Sequence, residues 1–539
     1  MPTGRPTVML ILLLSACLVA LSYTVLYRFY FGSGNPCDHI RLDGSYNRSS
    51  SVPMFGVGYA VEGYAELMRG TGAVWVRIPL VAWGAVEPSP PEGGVHHYNW
   101  TRLDRLILEY QECGFEVQVI LKCANPWAAT GYERDVREVF RRSYPPREEY
   151  WDDYYQFVYS VVERYDCDGY MDAPGLLHPV RYYEIESEAH NSILWAGTVE
   201  DYRRLLETAY RAAKRAYPEV KIILSGINFG DLFDDCPSPA EVEEMIRSLP
   251  PGLKKAYNFI VESLSLGDYY DIVDLHFNRN YTGIPYAVEW VRQELAKHGY
   301  DKPIWAGDVC SVPFITDDEH RHLLDAILDP ESPGHEEATR WLRAEQARLS
   351  IKKLVVSAGS GVEVFILETL RDFSMEAYRH ASEESFFIAG LVDDDMEPRP
   401  AFYAYRQAIQ KIEGFTRVEY CHWDGCYLYR FYFRDRSPVY IVWSDAGLTN
   451  ISISGFQPGR MVKVEKLITS LPPDPEVEVV KTEYGKIWIL VDDTPVFIEE
   501  YSQESSLLCY SPPRYGLPAR GWPVIQGHSL LVGCLTGKF

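Results

Sequence analysis

The sequence contains no stretch rich in lysine and arginine, and its formal net charge is −24. A nucleic-acid-binding protein needs a basic surface to neutralise phosphates, so nucleic acid is excluded as an expected partner, and polyanionic substrates are disfavoured for the same reason. The 11 cysteines include no Cys-X-X-Cys pair and no cysteine–histidine cluster with the spacing of a zinc site. We therefore expect no metal centre.

A glycine-rich phosphate-binding loop and internal repeats of fixed period are also missing. The first absence counts against a doubly wound nucleotide-binding sheet, and the second against a repeat architecture. What is present is the composition of a globular protein, with 47% hydrophobic and 24% charged residues. Aromatic residues make up 14% of the chain. Flat rings suit the faces of sugars, but large α/β proteins also bury many aromatics, so both interpretations stay open.

The N-terminus carries an uncharged apolar run from Val8 to Leu26, which is long enough to cross a bilayer as a helix. The run continues well past a lipoprotein-like box at Cys17, which favours an uncleaved anchor over cleavage or lipidation. We expect residues 1–30 to be a single-pass transmembrane helix in the cell membrane and the rest to lie outside the cytoplasm. Residues 31–51, rich in glycine, serine and asparagine, are predicted to be a linker.

Between residues 52 and 413, short apolar runs alternate with amphipathic helical stretches, which predicts βαβ units and a parallel sheet. The predicted strands are 54–59, 73–80, 115–121, 180–188, 220–226, 271–277, 302–308 and 361–368. Eight strand–helix repeats predict an α/β fold of the (β/α)₈ TIM-barrel type. The alternative, an open doubly wound sheet, would call for the missing glycine-rich loop.

After residue 413 the pattern changes to short alternating strands separated by turn residues. This pattern predicts a small antiparallel β-sandwich over residues 414–501. Residues 502–539 show no clear period, and their apolar end is too short to span a membrane. No fold is assigned to this tail.

Carboxylates stand at the ends of two predicted barrel strands, where a barrel of this kind carries its active site. The fourth strand ends in Glu184, Glu186 and Glu188, and the seventh ends in Asp308. Strand periodicity places the three glutamates on one face, where repulsion between buried like charges would raise at least one pKa, as a general acid requires. Arg77 is the expected counter-charge. Cleavage of a glycosidic bond needs two carboxylates, one to protonate the leaving oxygen and one to attack or to activate water.

Longer motifs, found in the right order, resemble those of clan A glycoside hydrolases, most closely family 39-like and family 5-like barrels. They are GTGAVWVRIPLVAWGAVEPSPP with YNWTRLDRLI, VVERYDCDGYMDAPGLLHPVRYYEIESEAHNSILWAGTVEDY, DKPIWAGD, GLVDDDMEPRPAFYAYRQAI and TPVFIEE. The first four resemble the second βα unit, the fourth strand with its approach, the seventh strand and the close of the barrel. The last resembles the accessory sandwich, so the resemblance covers roughly residues 52–501.

The resemblance implies roles for the residues at the strand ends. Glu188 takes the position of the acid/base and Asp308 that of the nucleophile of a retaining enzyme, and no cofactor is needed. For six further residues the resemblance implies substrate binding or support of the nucleophile: Arg77, Trp127, Glu186, Ser187, His276 and Glu368.

Three of these residues depart from the family pattern. Ser187 stands where the family has an asparagine that holds the sugar 2-hydroxyl, and Glu186 adds a charge beside the acid. Asp308 replaces a glutamate and is shorter by one methylene. Weaker direct attack, room for an attacking water and loss of catalysis all stay open, and aspartate is competent if the backbone advances to compensate.

The sequence therefore predicts an O-glycosidase with a carbohydrate substrate, acting on glycans outside the membrane. Two alternatives stay open: a catalytically degenerate carbohydrate-binding surface protein that uses the same cleft, and a structural component of the cell envelope. Non-functional interpretations also stay open for single residues. Trp127 would be a core residue, His276 a structural histidine, and Glu368 the partner of Arg371.

Overall fold

The computed structural model describes residues 44–49, 52–131, 142–230, 232–313, 318–372 and 388–501. The predicted anchor at 1–30 and the tail at 502–539 lie outside these residues. Within the described ranges, no helix combines the length and the apolar character that a membrane crossing requires.

A closed barrel of eight parallel strands forms the larger part of the fold, and its strands follow one another around the barrel in chain order. The first strand of the chain, β1 (Gly44–Asn47), belongs to a separate sheet. The barrel strands are β2 (Phe55–Val57), β3 (Trp75–Ala82), β4 (Glu116–Lys122), β5 (Tyr182–Ile185), β6 (Lys221–Asn228), β7 (Ile272–Phe277), β8 (Ile304–Val309) and β9 (Val364–Leu367). Each of the eight predicted strands corresponds to one of them, which confirms the predicted barrel.

Helices connect the barrel strands and cover them. They are α1 (Ala65–Arg69), α2 (Trp83–Val86), α3 (Thr101–Glu112), α4 (Trp151–Arg164), α5 (Val199–Ala216), α6 (Pro239–Ser248), α7 (Pro251–Leu264), α8 (Ile284–Lys297), α9 (Asp318–Leu328), α10 (His335–Gly359) and α11 (Pro400–Ile412). Helix α5 begins at a capping box, in which the Thr198 side chain accepts from the Asp201 backbone and the Asp201 carboxylate accepts from the Thr198 backbone.

Two layers of side chains fill the barrel. The lower layer is an apolar floor made of Trp75, Ile223, Ile272, Trp305, Val364 and Ile366. The rings of Trp75 and Trp305 meet edge to face there, with centroids 5.1 Å apart. The upper layer, a few residues further along the same strands, is charged. The floor excludes water from below, so the charged groups above it interact in a medium of low dielectric constant.

The C-terminal region is an antiparallel sandwich, as predicted. Its strands are β10 (Arg417–Trp423), β11 (Cys426–Tyr432), β12 (Val439–Ser444), β13 (Thr449–Ser454), β14 (Met461–Lys466), β15 (Val477–Lys481), β16 (Lys486–Val491) and β17 (Val496–Glu500). Seven strands form one sheet in the order β1-β10-β11-β12-β17-β14-β15, and β13 pairs with β16. Apolar side chains from both sheets, such as Ile453, Ile489 and Val442, share one core.

Three strands of the accessory sandwich were not predicted. Strand β1 lies within the stretch predicted as a linker, where it pairs antiparallel with β10. Its glycine and serine suggested a tether, but its backbone completes the edge of the sheet and its side chains alternate between half-buried and exposed. Strands β13 and β15 were missed because polar residues dominate the first, and the second is largely exposed.

Candidate active site

Arg77 lies at the centre of the charged layer, is the third residue of β3, and is 1% exposed. Its Nη2 donates to Oε2 of Glu184 at 2.8 Å, and its Nη1 donates to Oδ2 of Asp308 at 2.8 Å. Oδ2 of Asp274 lies 3.8 Å from Nη2. The arginine is therefore the counter-charge expected for the strand-end carboxylates, and three barrel strands present acids to it.

Glu188 accepts hydrogen bonds on both carboxylate oxygens. Nδ1 of His276 lies 2.8 Å and Nδ2 of Asn228 lies 3.2 Å from its Oε1, while Nδ2 of Asn191 lies 3.3 Å from its Oε2. Burial raises the pKa of Glu188, but the hydrogen bond from His276 and the charges of His276 and His190 outweigh it and lower the pKa to about 2. In the free protein this side chain is a carboxylate.

His276, near the end of the sixth barrel strand, β7, joins two acids. Its Nδ1 faces Glu188, and its Nε2 lies 3.4 Å from Oδ2 of Asp274. Burial opposes the charged ring, but the hydrogen bonds to Asp274 and Glu188 and the nearby carboxylate charges raise the pKa of His276 well above its ordinary value. The carboxylates beside both ring nitrogens favour the doubly protonated imidazolium, while Nη2 of Arg77 lies 3.4 Å from Nε2.

The prediction that Glu184, Glu186 and Glu188 share one inward face is wrong. Strand β5 ends at Ile185, and Glu186 and Glu188 adopt left-handed backbone conformations with φ of 63° and 48°. This interrupts the alternation on which the prediction rested. The raised pKa falls on Glu184, where burial brings it to about 7.

Glu186, predicted to bind substrate, is 1% exposed and its oxygens are occupied by the protein. The backbone N–H of Cys123 donates to its Oε1 at 2.7 Å, and Oγ of Ser143 donates to its Oε2 at 2.7 Å. The carboxylate therefore ties the end of β5 to Cys123, directly after β4, and to Ser143. These contacts favour a structural role for Glu186 over the predicted substrate binding.

A bulge in β8 turns Asp308 towards Arg77. Asp274 pairs with Trp305, but His276 pairs with Asp308, so one extra residue of β8 faces β7 at this point. Trp305 packs in the barrel floor, and in an unbroken strand Gly307 would share its inward face. The extra residue reverses the alternation, and this is how a bulge re-aims a side chain.

Asp308 keeps one carboxylate oxygen unbonded. Its Oδ2 accepts from Arg77, and the hydroxyl of Tyr59 lies 3.4 Å from the same oxygen. Its Oδ1 is buried and has no hydrogen-bond partner in the described part of the protein. Asp308 therefore presents an anchored carboxylate with a lone pair available on one oxygen.

Glu368, at the end of β9, is buried close to Asp308. Its backbone N–H donates to the carbonyl of Val309 at 2.8 Å. Burial, and then the charge of Asp308, raise the pKa of Glu368 well above its ordinary value. Among the ion pairs of the described residues, none joins Glu368 to Arg371, so the alternative pairing is not seen.

Trp127 and Ser187 stand further from this network. Nε1 of Trp127 donates to the carbonyl of Glu87 at 2.9 Å, and its ring meets those of Trp83 and Tyr150 edge to face, with centroids 4.9 and 5.2 Å away. These contacts favour the packing interpretation of Trp127. Ser187 is half-buried between Glu186 and Glu188.

Sequence reasoning missed several residues of the network: Tyr59, Glu184 as the main partner of Arg77, Asn191, Asn228 and Asp274. Two of them carried a usable signal. Asp274 lies two residues before His276 on β7, so strand period places both side chains on one face. Asn228 ends β6, at the same rim of the barrel as the predicted site. The oxygens and nitrogen of Glu184, Asp274 and His276 also lie within 4.8 Å of one another, but the cation among them is the guanidinium of Arg77.

Backbone strain concentrates at the same rim. Tyr59, Glu186, Glu188 and Thr369, which follow the first, fourth and eighth barrel strands, all have positive φ, between 48° and 93°. Non-glycine residues adopt such conformations at a cost of about 1–3 kcal/mol each, and they persist where function requires a side chain in an unusual direction.

No protein-family model and no curated protein matches the chain. Solved structures share its fold. A family 39 glycoside hydrolase from Bacteroides cellulosilyticus WH2 superposes with a TM-score of 0.56 and 14% identity, over 83% of this chain and 80% of that one. A glucosidase from Croceicoccus marinus superposes with a TM-score of 0.52 and 12% identity, over 86% of this chain and 98% of that one. A monomeric β-xylosidase from Caulobacter crescentus CB15 superposes with a TM-score of 0.51 and 15% identity, over 86% of this chain and 98% of that one. The likeness to clan A barrels is thus confirmed for the fold.

Proposed function

We propose that the protein is a glycoside hydrolase that cleaves O-glycosidic bonds by a two-carboxylate mechanism. The proposal depends on one observation: Glu188 and Asp308, from the fourth and seventh barrel strands, meet in a single buried network. Arg77 holds Asp308, His276 holds Glu188, and Nη2 of Arg77 lies 3.4 Å from Nε2 of His276. Two acids facing one rim of a barrel are the arrangement that this reaction needs.

Asp308 acts as the nucleophile of a retaining reaction. Arg77 stabilises its negative charge and fixes its orientation, while Oδ1 keeps a lone pair available. Oδ1 bonds to the anomeric carbon as the bond from that carbon to the leaving oxygen breaks. Water then attacks the same carbon and releases Asp308.

The Glu188–His276 pair supplies the proton for the leaving oxygen. Because the pKa of Glu188 is about 2 and that of His276 is raised, the proton resides on Nδ1 of His276 in the free protein. Binding of a sugar removes water from Glu188 and raises its pKa, so that the proton shifts along the 2.8 Å hydrogen bond and then to the leaving oxygen. In the second step the attacking water returns a proton to the pair.

A panel of aryl glycosides tests the proposal with wild type, Glu188→Gln, Asp308→Asn and Glu186→Gln. The first two substitutions remove groups that act in the reaction, so kcat is expected to fall by about 10²–10⁴-fold. Glu186→Gln is the matched control, since it makes the same change two residues away in a side chain that binds only protein. It is expected to retain kcat. The anomer of the first product, followed by NMR, checks retention.

A carbohydrate-binding protein without catalysis is the second candidate, and the short side chain at Asp308 and the low pKa of Glu188 favour it. This candidate replaces the first if wild type turns over none of the glycosides but binds oligosaccharides, with binding lost in Asp308→Asn.

The location proposed for this activity is the outer side of the cell membrane, with residues 1–30 as a single-pass anchor. The uncharged run from Val8 to Leu26 supports it. Fractionation of cells that express the full chain tests it: an anchored protein stays in the membrane pellet after a carbonate wash, and release into the supernatant would contradict the anchor.

A further inference from the structure

Lys353 is a buried lysine at the outer side of the barrel, on α10, and it is 1% exposed. Its Nζ donates to the carbonyl of Phe277 at 2.9 Å and to the carbonyl of Cys310 at 2.8 Å. Phe277 is the last residue of β7 and follows His276, while Cys310 comes directly after β8, two residues past Asp308. One ammonium group thus joins the ends of the two strands that carry these site residues.

The ladder between these strands is interrupted where the ammonium binds. The register of β8 shifts against β7 between Asp274 and His276, and against β9 between Ala306 and Val309. A bulge leaves the extra residue without a regular pair and disrupts the ladder on that strand. Ladder hydrogen bonds alone therefore hold the end of β8 less firmly than they hold a regular strand.

We propose that Lys353 is a positioning residue, which clamps the bulged end of β8 to β7 and thereby holds Asp308 level with His276. The inference rests on the proposed function, because the geometry that it protects is that of the two reacting side chains. Lys353 reaches neither carboxylate through a hydrogen bond among the described contacts and acts through the two carbonyls.

The choice of a charged residue here needs a reason, since burying an ammonium is costly unless it is well paired. Burial lowers the pKa of Lys353, which shows that the site opposes its charge. The carboxyl groups of Asp234 and Glu368 lie near enough to favour the charge, and two full carbonyl acceptors satisfy it. A charge-assisted hydrogen bond is shorter and stronger than a neutral one, which suits a clamp on strand ends.

The neighbouring Lys352 supplies a matched control. It lies on the same helix, is 5% exposed, and donates to Oδ1 of Asp445 at 2.8 Å in the accessory sheet. Lys353→Met and Lys352→Met remove the same group from adjacent buried positions, so both variants are expected to lower the melting temperature. A displacement of the reacting groups of about 1 Å costs about 100-fold in rate, so kcat is expected to fall by about that factor in Lys353→Met only, with KM little changed.

If Lys353→Met does not fold, Lys353→Gln replaces it, because a glutamine amide still donates to a backbone carbonyl, and an intermediate kcat is expected.

The histidine signal of His276 in ¹⁵N NMR gives a second measurement that needs no turnover. In wild type and Lys352→Met the ring stays doubly protonated well above pH 6.5, whereas its titration moves to lower pH in the Lys353 variants. Equal kcat values and equal His276 titrations in the two lysine variants would overturn the positioning role. Absence of turnover by wild type would contradict the proposed hydrolase function. The NMR comparison alone would then test the positioning role of Lys353.

Discussion

At the scale of single residues, the protein keeps charge of both signs in contact above an apolar floor. Arg77 and His276 are the two cations, and Glu184, Asp274, Glu188 and Asp308 surround them. Removing one member of such a network leaves its partners buried and unpaired, so single substitutions are expected to act on titration as well as on stability.

His276→Asn is expected to move the alkaline limb of the pH–rate profile to lower pH. In wild type the pair keeps its proton until the raised pKa of His276 is passed. In the variant Glu188 must hold the proton alone. Its pKa rises from about 2 when the imidazolium is lost, but it remains in the range of a carboxyl group, below the raised pKa of His276 in wild type. Measurement of kcat/KM against pH checks this, and an unmoved alkaline limb would show that another group supplies the proton.

The same pair predicts how stability depends on pH. The pKa of Glu188 is depressed in the folded state, so its contribution is present above the ordinary value of 4.5 and is lost as pH falls towards 2. The pKa of His276 is raised, so its contribution is present below 6.5 and is lost as pH rises through the folded value. Urea unfolding of wild type and His276→Asn is therefore expected to differ most between pH 4.5 and 6.5. A difference that grows above this window would contradict the assignment.

At the scale of elements, the bulge in β8 requires a glycine. The N–H of Gly307 donates to Oδ1 of Asp274 at 2.5 Å, and a Cβ at Gly307 would overlap the same carboxylate. Gly307→Ala is expected to displace Asp274, to lower kcat and to destabilise the fold by about 1–3 kcal/mol. Kinetics and denaturant unfolding measure the two effects.

Gly252→Ala is the control for this prediction. Gly252 lies in the first turn of α7, and nothing stands within 4 Å of a Cβ placed there. Alanine is a better helix former than glycine by up to about 1 kcal/mol, so this variant is expected to be as stable as wild type or more so, with unchanged kcat. Similar losses in both variants would mean that the bulge has no special need for glycine.

Periodicity in the sequence located all eight barrel strands because buried parallel strands are continuous apolar runs between helices. It failed at two strand ends, and both failures have one cause. The predicted strand 180–188 ends at Ile185, and the inward side of β8 changes at Gly307, since a left-handed residue or a bulge breaks the alternation without leaving an apolar or polar signature. The predicted end of the seventh strand placed Asp308 in the site, and the family resemblance gave it a role; alternation along the strand contributed to neither.

At the scale of the whole molecule, a polar and aromatic contact joins the accessory sheet to the barrel. Lys352 of α10 binds Asp445, whose carboxylate also accepts from the hydroxyl of Tyr281. Nε1 of Trp443 donates to that hydroxyl at 3.2 Å, and the Trp443 ring stacks on Tyr427 with centroids 5.0 Å apart. The sheet is therefore expected to stabilise the barrel, and the two are expected to be energetically coupled.

Lys352→Met tests this coupling against Lys466→Met. The side chain of Lys352 is 7% exposed and that of Asp445 is 37% exposed, so loss of the lysine is expected to lower the free energy of unfolding by about 1.5 kcal/mol, the lower end for a hydrogen bond to a charged group. Lys466 and Asp492 form a pair in which each side chain is 37% exposed, and such pairs contribute about 0–1 kcal/mol. Urea unfolding of both variants gives the comparison. A loss in Lys352→Met no larger than that in Lys466→Met would contradict the coupling.

The left-handed residues at the rim restrict which amino acids can be exchanged when the substrate specificity of the site is engineered. Positions 59 and 369 are the first of them that a mutagenesis library for new substrates would vary, because Glu188 takes part in the reaction and Glu186 binds only protein. Valine and isoleucine tolerate this backbone least, while glycine, asparagine and aspartate tolerate it best. A library confined to those three residues at these positions should therefore yield a larger share of folded variants than one that samples all twenty.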